Sequence, residues 1–200
     1  MIDLWLERAA LAALLWLTAF VVDMLWLNRV FIQWFSRGKS DWPSEMLQVH
    51  HQSHLHADNL RDFIDLQMVA DWTRDIGRLT FFPFYVLALL ILARMNRFDA
   101  WSWTSALVVI YFLVVVLVIL GVARVRNCAE NLRSKAVAEV RQRYSALNAD
   151  SAAASLLTEI NNLSRGAFVP FSEQPVMKAL YWLLGALGVG GLWQAFAQWL

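Results

Sequence analysis

All four histidines of the chain fall within seven residues, as His50, His51, His54 and His56 in the run VHHQSHLH. On a helix His50 and His54 stand one turn apart on one face, a spacing that can bring two imidazoles to a divalent metal. Asp58 continues that face, but about 12 Å of helical rise separates it from His50, too far for both to ligate one small ion. A metal centre on His50 and His54 therefore requires a bend near Ala57 or ligands from elsewhere. Without these the run is a polar helix face beside a membrane surface, or a pH-sensing one, because imidazole titrates near pH ~6.5.

Three other features invite chemistry. Asp23 is the one ionisable side chain well inside an apolar run, where a carboxylate costs a few kcal/mol and often marks a proton or ion path. Four residues separate it from Asn28 and Arg29, close enough for water or a neighbouring helix to relieve the charge. The lone Cys128 cannot form an intrachain disulfide, and a single thiol on a helix is ordinarily inert. Arg124, Arg126, Arg133, Lys135, Arg141 and Arg143 form a basic column. Arg124 and Arg126, nearest the apolar run, are candidates for contact with anionic lipid headgroups, at ~1 kcal/mol each. The chain contains no Gly-rich phosphate loop, CxxC, HExxH or GxSxG, so no catalytic residue is assigned and no cofactor is implied.

The elements that carry these residues are helices, and most are apolar. Hydrophobic residues make up 59% of the sequence and are bunched into runs, which points to a bilayer rather than to a soluble core. Residues 1–35 hold a first span, about Ala9 to Leu27. The opening MIDLWLER lacks the positive charge of a signal peptide, and no small-residue cleavage site follows, so this span is expected to be retained. Residues 36–78 form a polar segment with a helix over Ser44 to Ala57 and a second from Leu60 to about Ile76. In the second, Leu60, Ile64, Met68 and Trp72 repeat every four residues, and Asp62, Asp65, Asp71 and Asp75 are expected on a solvated face. Residues 79–123 form a hairpin of two spans, Leu79 to Ala93 and Trp101 to Ala123.

The third span runs on without Pro or Gly past Arg124 to about Leu147, with Leu132, Ala136, Val140, Tyr144 and Leu147 in one stripe. Residues 124–175 thus form a hairpin, closed by a return helix bearing Leu156, Ile160 and Leu163, and ended at Arg165-Gly166. Residues 176–200 are a fourth span. Its Ala186 and Gly190 form a small-xxx-small pair that lets helices approach closely in lipid, within the chain in preference to between copies.

Fold class and placement follow from the charge pattern. Thirteen of the seventeen Lys and Arg residues lie in segments 36–78 and 124–178. By the positive-inside rule both segments face the cytoplasm and both termini face away, as in a multi-pass protein of the bacterial inner membrane. The eleven tryptophans lie mostly near the ends of apolar runs, where such rings favour the headgroup layer. The expected architecture is all-α: four transmembrane helices with a small cytoplasmic head in which the Leu60–Trp72 stripe docks on the Leu132–Tyr144 stripe. No basic, aromatic-interleaved patch suggests nucleic acid. The expected partners are the lipid bilayer and other membrane or cytoplasmic proteins, with a homo-oligomer open. The function expected is anchoring, scaffolding or signal coupling in a membrane assembly. The alternatives are a membrane-embedded metal-dependent enzyme using His50 and His54, and a small transporter or channel subunit with Asp23 in its path.

Overall fold

The computed structural model describes residues 2–37, 57–93, 105–145 and 150–185, which are helical with no strand among them. We label the helices α1 (Ile2–Arg37), α2 (Ala57–Leu79), α3 (Phe81–Ala93), α4 (Ser105–Ser145) and α5 (Asp150–Asn162), and α6 over residues 175–185. Short 3-10 turns at Gly166–Phe168 and Phe171–Glu173 lie between α5 and α6. The helix expected over 44–57, with His50 and His54, and the small-residue pair Ala186 and Gly190 lie outside the described residues.

Two helices are long and apolar enough to cross a bilayer, over Arg8–Ser36 and Val108–Arg143. The four spans read from the sequence are thus met by two among the described residues. The second expected span is only 13 residues long as α3, about 20 Å against a hydrocarbon layer of about 30 Å. Its start is set by Pro83, whose ring clashes with the carbonyl four residues back and offers that carbonyl no N–H. That carbonyl belongs to Leu79, where α2 ends, and Thr80 makes the break. Thr80 Oγ1 donates to the Gly77 carbonyl at 2.6 Å, occupying an acceptor that the end of the helix leaves open. α2 therefore runs three residues past the Ile76 boundary expected, straight through Gly77.

The chain forms two compact units. Unit 1 comprises Met1–Leu25, Ile76–Ala123 and Phe171–Leu200. In it each helix contributes one buried stripe: Leu14, Thr18, Val21 and Leu25 from α1, Phe84, Leu87, Ala88 and Ile91 from α3, Tyr111, Val114, Val118 and Val122 from α4, and Val176, Ala179 and Leu183 from α6. The three- and four-residue steps are those of a helix face packed on neighbours. Gly121 brings α4 close to α1, since a Cβ there would stand 2.8 Å from Leu25 Cδ1. The opposite faces carry Trp16, Phe20, Phe82, Phe112, Leu117 and Trp182, all exposed.

Unit 2 comprises Trp26–Asp75 and Arg124–Pro170. Its core takes Ile32 and Phe35 from α1, Leu66, Val69 and Ala70 from α2, Val125, Ala129, Leu132, Ala136 and Val140 from α4, Leu156 and Ile160 from α5, and Phe168 from the turn after it. The α4 stripe is the expected one as far as Val140. Of the expected α2 stripe Ile64 is buried and Met68 half-buried, but farther along the helix Val69, Ala70 and Thr73 are inside and Trp72 is 51% exposed. Trp72 packs its ring on Phe31 of α1, with centroids 5.7 Å apart.

Candidate functional site

The polar side chains of unit 2 converge on three points where α4, α5 and α2 are tied together. The first joins α2 to α4. Arg143, in the last turn of α4, donates from Nη1 to Asp62 Oδ2 at 3.1 Å and from Nη2 to Glu139 Oε2 at 3.0 Å. Asp62 was expected on a solvated face; it lies instead half-buried at this junction. Burial pushes its carboxyl up from 3.8 to about 6. Arg143 pulls it down, while Glu139 and Asp65 push it further up. Asp65, also placed outside by the sequence pattern, is buried at 7% exposure.

The second point is the C-terminus of α5. Arg133, in the middle of α4, donates from Nη2 to the carbonyls of Ile160, at 2.6 Å, and Asn161. These are among the last carbonyls of α5, which no intrahelical N–H can satisfy, and a cation there also opposes the negative end of the helix dipole. The same guanidinium lies 5.5 Å from the centroid of the Phe168 ring, and Glu130 one turn back is 3.9 Å away. Arg133 is thus a packed cap rather than one rung of a basic column.

The third point fixes the loop after α5 to α2. Thr73 Oγ1 donates to Val69 O at 2.6 Å and accepts from the Ala167 N–H at 2.8 Å. This close approach depends on Gly166, whose φ is +57°. A Cβ there would overlap Ala70 O and Thr73 Oγ1 and stand 2.9 Å from Arg74 N. Gly166 was expected to end the return helix; α5 ends at Asn162, and Gly166 instead opens the 3-10 turn.

The other sequence candidates fall elsewhere. His50 and His54 lie outside the described residues, and no group of three metal-ligating side chains occurs among the described ones. Asp23 is exposed on α1 in unit 1, and the neighbours on its face, Trp16, Phe20 and Leu27, are exposed apolar residues. Arg124 is exposed and Arg126 half-buried. Cys128 is a half-buried free thiol beside a groove of about 260 Å³ that Lys135 and Asn131 also line.

Chemically, the three points hold helices together and offer one carboxyl, Asp62, able to exchange a proton in the mildly acid range. Sequence reasoning missed Arg133 because its acceptors lie 27 and 28 residues away. The Glu139–Arg143 spacing of i,i+4 was a visible hint of one local pair, but gave none of Asp62. No protein-family model, no curated protein and no solved structure matches this chain.

Proposed function

We propose that the chain is a multi-pass membrane protein whose helical unit 2 is a cytoplasmic head, acting as an anchoring, scaffolding or signal-coupling component of a membrane assembly. One observation carries the membrane reading. The two long apolar stretches are only 22% and 28% buried, whereas a helix of the same composition in a soluble protein is covered by its own core. Side chains such as Trp16, at 80% exposure, and Phe112, at 70%, need an apolar environment that hydrocarbon supplies. Four spans remain the preferred count. The 13 residues of α3 are apolar throughout, and the apolar sequence from Val176 continues to Leu200. Both termini then lie opposite the cytoplasm by the charge rule, in a bacterial inner membrane, with Arg124 and Arg126 at the headgroup level.

The coupling role rests on α4. One uninterrupted helix carries exposed apolar side chains up to Leu120, then Arg133 and Arg143, which hold α5 and α2. A displacement along α4 therefore reaches α5 and α2 through charge-assisted bonds. Reporter fusions after Leu200, combined with alkaline extraction of membranes, test the placement. Extraction-resistant protein with a non-cytoplasmic reporter phenotype is expected, and a soluble chain or a cytoplasmic C-terminus overturns it. Purification in mild detergent tests the role: an identified partner at fixed stoichiometry, displaced by Arg143→Glu, is expected. A chain that purifies alone from native membranes overturns scaffolding and coupling.

A further inference from the structure

The end of α2 and the start of α6 meet in unit 1 at Gly77 and Pro175, where a Cβ on Gly77 would stand 3.7 Å from Pro175 Cγ. Eight residues after Gly77 and seven after Pro175, the rings of Tyr85 and Trp182 stack with centroids 6.4 Å apart. The two contacts set the end of α2 and the start of α3 beside α6, running the same way as it. Between the two contact levels lies Lys178, three residues beyond Pro175 and exposed. Glu173, the acidic residue nearest Lys178 in sequence, precedes Pro175 and so falls on the far side of the lower contact.

Beside the aromatic pair is a concavity of about 590 Å³ lined by Lys178, Tyr181, Trp182 and Gly185. These residues follow the i, i+3, i+4, i+7 spacing of one helix face. Among the described residues nothing lies within 4 Å of where a Gly185 side chain would begin. Its order is amphipathic: cation at one end, aromatic rings in the middle, bare backbone at the other. Exposed Phe82, Leu89 and Leu184 on the same helices continue the apolar surface. A soluble phosphate would use only the cationic end, whereas a lipid uses the whole length.

We propose that this concavity binds one anionic phospholipid, its phosphate held by Lys178 and an acyl chain lying over Tyr181, Trp182 and Gly185. The site rests on the membrane reading given above. The full chain, reconstituted in phosphatidylcholine vesicles, is irradiated with either a photoactivatable phosphatidylglycerol or a photoactivatable phosphatidylcholine at equal mole fraction, and adducts are mapped by peptide mass spectrometry. A basic residue near an anionic headgroup is worth about five-fold in occupancy, so labelling of residues 179–185 by the anionic lipid should exceed that by the neutral one five-fold or more. Lys178→Gln should lower that ratio about five-fold without changing labelling by the neutral lipid. Lys178→Arg should preserve it, and Gly185→Leu should reduce labelling by both. Equal labelling by the two lipids, or a ratio untouched by Lys178→Gln, overturns the site, as does loss of anionic labelling to competing inorganic phosphate. A chain that fails to float with the vesicles instead overturns the membrane reading itself.

Discussion

Arg133 lies over the ring of Phe168 while its Nη2 donates to two carbonyls at the end of α5. The ring and the carbonyls thus share one guanidinium, and the loop after α5 is bound to α4 through the helix it follows. Arg133→Met keeps the apolar stem and removes the donors. It should destabilise the chain by about 1.5–3 kcal/mol, the range for hydrogen bonds to a charged group. In a cycle with Phe168→Leu the two losses should fall short of additive by ~0.5–1 kcal/mol. Denaturant unfolding of the four variants measures this, and strict additivity would mean that ring and guanidinium do not interact.

Gly166 and Thr73 give a sharper test. Gly166→Ala forces a side chain into a left-handed backbone and onto the α2 backbone at once. A loss above about 3 kcal/mol is expected, because neither the helix nor the turn can yield. Thr73→Val keeps the shape but strands the buried Ala167 N–H, at about 1–3 kcal/mol. Amide exchange should report the second variant at Ala167 first. If Gly166→Ala unfolds at the wild-type midpoint, the close approach of the turn to α2 is wrong.

How much of this was legible depended on whether a signal was local. The α4 stripe Leu132, Ala136, Val140 could be read because Arg133, Ser134, Lys135 and Glu139 are polar at positions between them, leaving Val137 and Ala138 as the apolar departures. On α2 the sequence offers two apolar rows: Ile64–Met68–Trp72, and Leu66–Val69–Ala70–Thr73. Spacing alone does not separate them. Ile64 and the row ending in the small Thr73 are inside, with the Gly166 turn closing on Thr73, while Trp72 covers Phe31. Asp62, Arg133 and Gly166 act through partners distant in sequence, which no periodicity reveals. The elements were therefore readable, and the polar ties between them were not.

Asp62 makes the head sensitive to pH in a defined direction. Its carboxyl is raised from 3.8 to about 6, first by burial, against the pull of Arg143 and with Glu139 and Asp65 adding to the rise. The folded state therefore holds a proton that the unfolded chain releases. The stabilisation is complete below pH ~3.8 and is lost as pH rises through about 6. Solvent screening of this half-buried group limits it to about 1 kcal/mol. Asp62→Asn should flatten the change in stability between pH 4 and 7 relative to wild type. Arg143→Gln should move the midpoint upward, since the lowering influence is gone. An unaltered slope in Asp62→Asn would assign the pH dependence to other groups.

The contact of Gly121 with Leu25 predicts a graded response in unit 1. A Cβ at 121 would sit 2.8 Å from Leu25 Cδ1 but 3.6 Å from Leu25 Cβ and 3.7 Å from its Cγ. The close atom is thus the far end of a side chain that can rotate, and the helix backbones themselves leave room for a methyl. Gly121→Ala should therefore be tolerated within ~1 kcal/mol, helped by alanine's better helix propensity. Gly121→Leu brings three more carbons into a packed seam and should cost about 1–3 kcal/mol by overpacking. Adding Leu25→Ala should recover most of that loss, because the vacated volume lies where the new side chain points. Thermal unfolding in detergent compares the four proteins. If Gly121→Leu is neutral, or Leu25→Ala deepens its defect instead of relieving it, α1 and α4 do not meet at these residues.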